Sequence, residues 1–277
     1  MNQNPFSFYD FLGYMLPGAL LLYIVTFVFG VDDIVIELSL DHASNSTANQ
    51  LLSFIPAVIF SYLLGHVLAL GSSALIEAFS YYSNGYPSEF LFDVKPKAYL
   101  SSDKWKGQLG RIILWGLILP ISIFKLVLKD FANIKMFNQA RPLPEPLRVA
   151  AFNKCLDILN EQIKVDTSKM NLKNGIDGDY FRLLYHFVFE NSERHAGKLQ
   201  NYVALYGLTR NVSLVFIVLF WWALYSYIFA SQSNIELVHI FSFATLAYIF
   251  YIGFIKFYRR YTLEAVMAAS VFREKIG

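Results

Sequence analysis

The positions of the cationic residues constrain this chain more than any motif in it. All 23 lysines and arginines lie within 95–210 or 256–275, whereas 1–94 carries eight acidic residues and no Lys or Arg. The segment 211–255 holds one acidic residue, Glu236, and again no Lys or Arg. Because Lys and Arg close to membrane spans are retained on the cytoplasmic side, this segregation predicts a membrane protein with both basic segments inside.

The composition agrees with a membrane location. Only 16% of the residues are charged, against about a quarter in a soluble domain, and the mean hydropathy is +0.42. Such a chain is neither collagen-like nor disordered. Its single cysteine, Cys155, has no partner for an intramolecular disulfide, which excludes a disulfide scaffold and any multi-cysteine metal site.

Four apolar runs are long enough to cross a hydrocarbon core of about 30 Å at about 1.5 Å per residue. The predicted spans are 8–30, 51–79, 211–230 and 237–258. The connections 31–50 and 231–236 lack Lys and Arg and are expected outside, whereas Arg259 and Arg260 end the last span inside. The N-terminus has no basic segment of the secretory-signal type, so we expect the first span to be retained and both termini to be cytoplasmic.

A fifth apolar run, 112–127, is shorter and contains Pro120 and Lys125. Sixteen residues make about 24 Å of helix, and both flanks are basic. If this run crossed the membrane, the cations between Lys129 and Arg210 would lie outside, against the charge rule. We therefore predict an interfacial or re-entrant segment, with a fifth crossing as the alternative.

The predicted fold is an all-α polytopic membrane protein with four transmembrane helices and a cytoplasmic helical insert. Residues 1–79 form an N-terminal transmembrane hairpin, 80–210 the insert, and 211–277 a C-terminal hairpin with a cytoplasmic tail. No proline follows Pro146, which favours long helices. The apolar repeat from Tyr180 predicts one helix of about fifty residues, some 75 Å long, that continues through the third span.

Enzyme signatures are missing from the sequence. It contains no GxxxxGK[ST], GxGxxG, HExxH or GxSxG motif, so we expect no enzymatic activity, no catalytic residues and no cofactor. His186, Glu190 and Glu193 share a helical face at a spacing that a metal ion could use. A di-iron bundle needs a second carboxylate-histidine helix, so ordinary ion pairing with nearby Arg and Lys is favoured and no metal site is expected.

Small residues recur every four positions along the second span, at Ser61, Gly65, Ala69 and Ser73, and Glu77 continues the stripe. This pattern lets helices approach closely without a hydrophobic driving force. Two partners are open: the first span of the same chain, or a second copy.

Ionisable side chains within a span are costly and tend to face a bundle interior or a water-filled path. His66 lies in mid-span, where it suits either a pore lining or an inter-helix hydrogen bond. Glu77 lies close to the inner boundary, where interfacial placement is the simpler interpretation.

A ligand surface is predicted on the cytoplasmic helix that leads into the third span. Cations that suit phosphates alternate there with rings that suit bases. The candidate residues are Arg182, Arg194, Lys198, Tyr202 and Arg210. Contact with anionic lipid, or simple solvation, is the alternative.

Two segments resemble a known kind of protein. FYDFLGYMLPGA at 8–19 and YGLTRN at 206–211, together with the layout of two spans, a helical insert and two more spans, resemble the membrane effector of Hailong-type anti-phage defence. The resemblance implies a homo-oligomeric channel, of tetrameric type, in the bacterial inner membrane. It also implies a nucleotidyltransferase partner whose DNA oligomers hold the channel shut. The competing class is a non-channel membrane scaffold or a lipid- or partner-sensing protein.

Overall fold

A computed structural model describes residues 8–29, 47–101, 105–134, 139–230 and 235–272. Most of the two connections predicted outside falls beyond these residues. Of these residues, 81% are helical and none lies in a strand. Among the helices in these ranges, four are long and apolar enough to span a membrane, or five if a bent pair described below counts as one span. The prediction of an all-α polytopic membrane protein is confirmed.

The first two long helices form the N-terminal hairpin. Helix α1 comprises Phe8–Asp10, a π-helical turn at Phe11–Met15, and Leu16–Phe29. Helix α2 comprises Thr47–Ser72, a π-helical turn at Ser73–Glu77, and Ala78–Asn84. It ends at Gly85, whose φ of 76° is accessible to glycine at little cost.

The middle of the chain holds a bent pair of helices. After the short helix α3 (Pro87–Phe90), helix α4 (Trp105–Leu117) and helix α5 (Leu119–Phe124, continued in π form over Lys125–Phe131) meet at 91°. The bend follows from Ile118, which leaves the helical conformation at φ −102° and ψ 33°, and from Pro120, which lacks an N–H. The Ser122 hydroxyl then donates to the Trp115 carbonyl at 2.9 Å, which satisfies part of the interrupted helix end.

The chain before and after the bent pair lies at one end of the bundle, which we call the basic end and define by Phe8, Asn84 and Arg259. Near the start of α4, the Arg111 guanidinium lies 4.3 Å from the centre of the Tyr82 ring. Beyond α5, the Arg141 carbonyl accepts a 2.9 Å hydrogen bond from Arg259. A helix pair bent in this way is either a broken span or a re-entrant segment, so the interfacial or re-entrant segment stays a prediction.

The C-terminal half is helical almost throughout. Helix α6 comprises Glu145–Asp157 and a π-helical turn at Ile158–Gln162, and it is followed by α7 (Gly178–Asn191), α8 (Glu193–Phe229) and α9 (Leu237–Val271). The prediction of one fifty-residue helix is wrong, because the chain breaks at Ser192, which is extended at φ −141° and ψ 90°.

The break has a local cause. The Asn191 side-chain amide donates to the Phe187 carbonyl at 2.8 Å, which offers the helix end an alternative to a further turn. The Ser192 carbonyl then accepts from the backbone N–H groups of His195 and Ala196, which starts α8. Gly197 and Gly207 lie within α8 and do not interrupt it.

Helices α8 and α9 pack side by side, and both contribute to three hydrophobic clusters. Towards the basic end, Leu199 of α8 and Val266 of α9 are buried with α6 and α7. Further along, Val215 of α8 and Tyr248 of α9 are buried against α2 and the bent pair. Although Arg259 and Arg260 end the apolar run, α9 continues to Val271, because charge ends a membrane span without ending a helix.

Candidate functional site

A buried arginine joins two of the spanning helices. The Arg210 side chain on α8 is only 8% exposed, and its guanidinium forms an ion pair with the carboxylate of Glu77 on α2, which is 28% exposed. The Arg210 Nε also donates to the Ser72 hydroxyl at 3.0 Å. Burial of a charge is tolerated when it is paired and hydrogen-bonded, and each of the three nitrogens of this guanidinium has a partner in Glu77, Ser72 or the Ala69 carbonyl.

The next residue extends this contact to the first span. The Asn211 amide, 1% exposed, donates to the Gly13 carbonyl of α1 at 2.6 Å. Its carbonyl oxygen accepts from the Ser72 hydroxyl. Gly13, Ser72, Glu77, Arg210 and Asn211 therefore form one connected set of polar groups, which we call the polar junction. It holds α1, α2 and α8 together near the basic end of the bundle.

The local structure of α1 and α2 changes where they meet this junction. The π-helical turn of α1 contains Gly13, and that of α2 contains Glu77. A π-helical turn is rare and is found disproportionately at functional sites. The two turns face the same pair of polar residues on α8, so the irregular backbone and the buried charge occur together.

The small-residue stripe of α2 serves contacts within the chain. A Cβ added to Gly65 would lie 2.1 Å from the Tyr14 carbonyl oxygen, and one added to Gly18 would lie 1.8 Å from the Ser61 carbonyl oxygen. Backbones of α1 and α2 therefore touch at these positions, as the intramolecular alternative predicted. Contact with a second copy of the chain stays a prediction, and it would involve other surfaces.

The stripe then turns away from α1. The Ala69 carbonyl lies 3.5 Å from an Arg210 guanidinium nitrogen on α8. Ser73 is exposed, and its hydroxyl donates to the Glu77 carboxylate at 3.2 Å. A repeat of four residues drifts by about 40° per step on a straight helix, which explains why one stripe meets two partners.

His66 belongs to an aromatic cluster between the first two spans. Its ring stacks on Tyr14 of α1 with centroids 4.1 Å apart, and it meets the Tyr62 ring edge-on at 4.6 Å. His66 therefore makes a contact between helices, as one of its two predicted roles requires. The contact is made by ring stacking and not by the predicted hydrogen bond. Pore lining by His66 stays a prediction.

The five predicted ligand residues do not form one surface. Lys198 lies 3.4 Å from Glu264 of α9, which also contacts His195 at 2.7 Å. Arg182 is exposed on α7 and lies 3.7 Å from Asp179, so the acidic partners differ from the Glu190 and Glu193 that the sequence suggested.

Arg210 lies apart from the other four predicted ligand residues. It lies twelve residues, or about 18 Å of helix, from Lys198 and is bound by Glu77. The prediction that Arg210 contacts a cytoplasmic ligand is therefore corrected: its charge is used inside the bundle. Arg194 is exposed and Tyr202 is half-buried on the same helix as Lys198.

Sequence reasoning missed Ser72 and Asn211 altogether. A hint was present, because Arg210 and Asn211 directly precede twenty-four residues without a formal charge, 212–235, so they had to be either interfacial or buried. Arg210 can be buried only if α2 provides a carboxylate at the same level of the bundle. Whether Glu77 lies there depends on how the helices pack, which the sequence pattern does not show.

The two segments of the family resemblance meet in the polar junction. Gly13 comes from 8–19, whereas Arg210 and Asn211 come from 206–211, and Gly207 also lies against the Tyr9 ring, 3.4 Å from an added Cβ. No protein-family model, curated protein or solved structure matches the chain.

Proposed function

We propose that this protein is a homo-oligomeric ion channel of the bacterial inner membrane that acts as an anti-phage effector. In this proposal a nucleotide or single-stranded DNA oligomer made by a nucleotidyltransferase partner binds the cytoplasmic helices and gates the channel. Both termini and the helical insert lie in the cytoplasm. When the channel opens, the membrane depolarises.

The supporting observation is the continuity of α8 across two cores. This helix has 37 residues, about 55 Å at the standard rise. Leu199 fixes its first part in the core built by α6 and α7, and Val215 fixes its later part in the core of the spanning bundle. A displacement of the cytoplasmic core therefore moves a spanning helix directly, as a gating mechanism requires.

The polar junction connects a movement of α8 to the first two spans. Arg210 and Asn211 connect α8 to α2 and α1 through directional contacts. Packed interfaces of this kind switch between discrete arrangements, because a small shift breaks hydrogen bonds without gradual compensation. Movement of α8 thus has to carry α1 and α2 with it or break the junction.

Ion flux tests the channel proposal. Full-length protein reconstituted in liposomes is expected to dissipate an ion gradient, short single-stranded DNA is expected to change that flux, and expression without the partner is expected to depolarise the host. A scaffold or sensor would give no flux and no depolarisation, which would overturn the proposal.

Arg194→Glu tests the ligand surface. Arg194 is exposed, so the variant should fold, and loss of one phosphate contact should reduce the salt dependence of binding by about 0.7 in the slope of log K against log salt. Lys154→Glu on α6, also exposed, is the matched control. Equal DNA affinity and slope in both variants would place the ligand elsewhere.

Thiol labelling tests the topology. Cysteine introduced at Ser44 or Ser233, both beyond the described residues, is expected to react with an impermeant reagent from outside the cell. Native Cys155 should give little background, because it is fully buried and burial raises the pKa of its thiol to about 12, which leaves little reactive thiolate. External labelling of Lys154→Cys would contradict the four-span arrangement.

A further inference from the structure

A cavity of about 320 Å³ lies at the basic end of the bundle, between the end of α2, the chain at 97–99 and the bent pair α4–α5. Its walls combine cations, hydroxyls and rings. The residues that matter for its chemistry are Tyr82, Ser83, Lys97, Tyr99, Trp115 and Lys125.

The cavity is built for an anion. Two lysines line it, and no carboxylate occurs among its lining residues. A third cation stands beside the wall, because Arg111 donates to the Tyr99 carbonyl at 2.7 Å while its guanidinium lies over the Tyr82 ring. Cations that converge on one cavity attract a negatively charged group.

One polar group in the wall is unsatisfied. The Ser83 hydroxyl is buried and has no hydrogen-bond partner among the described residues. A buried hydroxyl without a hydrogen-bond partner is destabilising. Such groups are rare in folded proteins, so each one requires an explanation. An anionic oxygen bound in the cavity would accept the hydrogen bond from this hydroxyl.

The rim is apolar and exposed. Leu126 lines the cavity and is 54% exposed, and Ile123 and Val127 beside it on α5 are also exposed. Ile112 and Ile113 continue an exposed apolar surface on α4. A soluble anion has no apolar part that contacts these exposed side chains. A phospholipid has acyl chains that cover them.

The predicted position of the cavity suits a headgroup. With Glu77 at the predicted inner boundary of the membrane, Tyr82 lies five residues, or about 7.5 Å of helix, further towards the cytoplasm. Basic pockets between helices at the membrane boundary are recognised sites for anionic lipid headgroups.

We propose that this cavity binds the phosphate of an anionic phospholipid, with Lys97 and Lys125 as its counter-charges, the Ser83 hydroxyl as a donor, and the acyl chains along the exposed face of α4 and α5. Bound in this way, the lipid holds the bent pair against α2.

Delipidated full-length protein in neutral detergent provides the test. Phosphatidylglycerol is expected to raise the thermal unfolding temperature and to remain bound in native mass spectrometry, whereas phosphatidylcholine and inorganic phosphate at equal concentration are not. Lys97→Met and Lys125→Met should each weaken phosphatidylglycerol binding about fivefold, the expected contribution of one lysine near an anionic surface.

Lys154→Met, on α6 and away from the cavity, is the matched control and should bind as the parent does. Because Lys97 is exposed, Lys97→Met leaves the fold intact even if Lys125→Met does not. Equal binding of phosphatidylcholine, equal stabilisation by inorganic phosphate, or unchanged affinity in Lys97→Met would each overturn the proposal.

Discussion

Replacement of Arg210 with methionine is expected to lower the free energy of unfolding by up to about 3 kcal/mol, because it leaves the partly buried Glu77 carboxylate and the buried Ser72 hydroxyl without their cationic partner. Addition of Glu77→Gln in the same chain should recover most of this loss. The second substitution removes the charge that the first one stranded. Unfolding in mixed detergent micelles, followed for the parent, both single variants and the double variant, gives the coupling free energy directly.

The control for this experiment is Arg182→Met on α7. Arg182 lies 3.7 Å from Asp179, and both side chains are largely exposed, so the loss of this pair should change stability by less than about 1 kcal/mol. If Arg210→Met were as stable as Arg182→Met, or if the double variant were no better than the single one, the Arg210–Glu77 contact would not hold the bundle together.

The second large effect is expected at the contact between the first two spans. Gly65→Leu should destabilise the N-terminal hairpin by about 1–3 kcal/mol or more, since its Cβ alone would overlap the Tyr14 carbonyl oxygen. Gly18→Leu should act similarly through the Ser61 carbonyl. Neither backbone can yield without separating α1 from α2. Thermal unfolding of the purified variants measures the loss.

Gly116→Leu is the matched control, because a Cβ at Gly116 on α4 meets no atom within 4 Å. Its unfolding temperature should stay close to that of the parent. Oligomer mass measured on the same samples separates the two roles of the stripe. A Gly65→Leu variant that kept its unfolding temperature but lost its oligomer would show that Gly65 contacts a second copy and that the contact with Tyr14 is tolerant.

Both experiments bear on gating as well as stability. The polar junction provides directional hydrogen bonds between α8 and the first two spans, in addition to their apolar packing. Arg210→Met with Glu77→Gln, if as stable as the parent, should therefore fold normally and respond less to DNA in the flux assay. A normal response in that double variant would show that the signal passes by another contact.

Much of the architecture was predictable from the sequence. The four spans follow from apolar runs about twenty residues long, because no other structure satisfies the backbone of such a segment in lipid. The short apolar run 112–127, which contains Pro120 and Lys125 between basic flanks, coincides with the bent pair, and its interfacial or re-entrant placement stays a prediction. These features are local, since they depend on the composition and spacing of neighbouring residues.

The tertiary structure decided the rest. Only the packing of the helices reveals that Gly65 faces Tyr14, that Arg210 meets Glu77, and that Lys198 shares Glu264 with His195. Each of these contacts joins residues at least fifty positions apart, and periodicity along one helix gives a face but not the partner opposite it. The break at Ser192 involves only residues close in sequence. At such a position, a continued helix and a helix end capped by a side chain differ little in free energy, so the sequence pattern does not decide between them. The sequence by itself determined which segments enter the membrane, because burial in lipid depends on composition; the folded structure determined which polar groups satisfy one another, because that depends on the distances between helices.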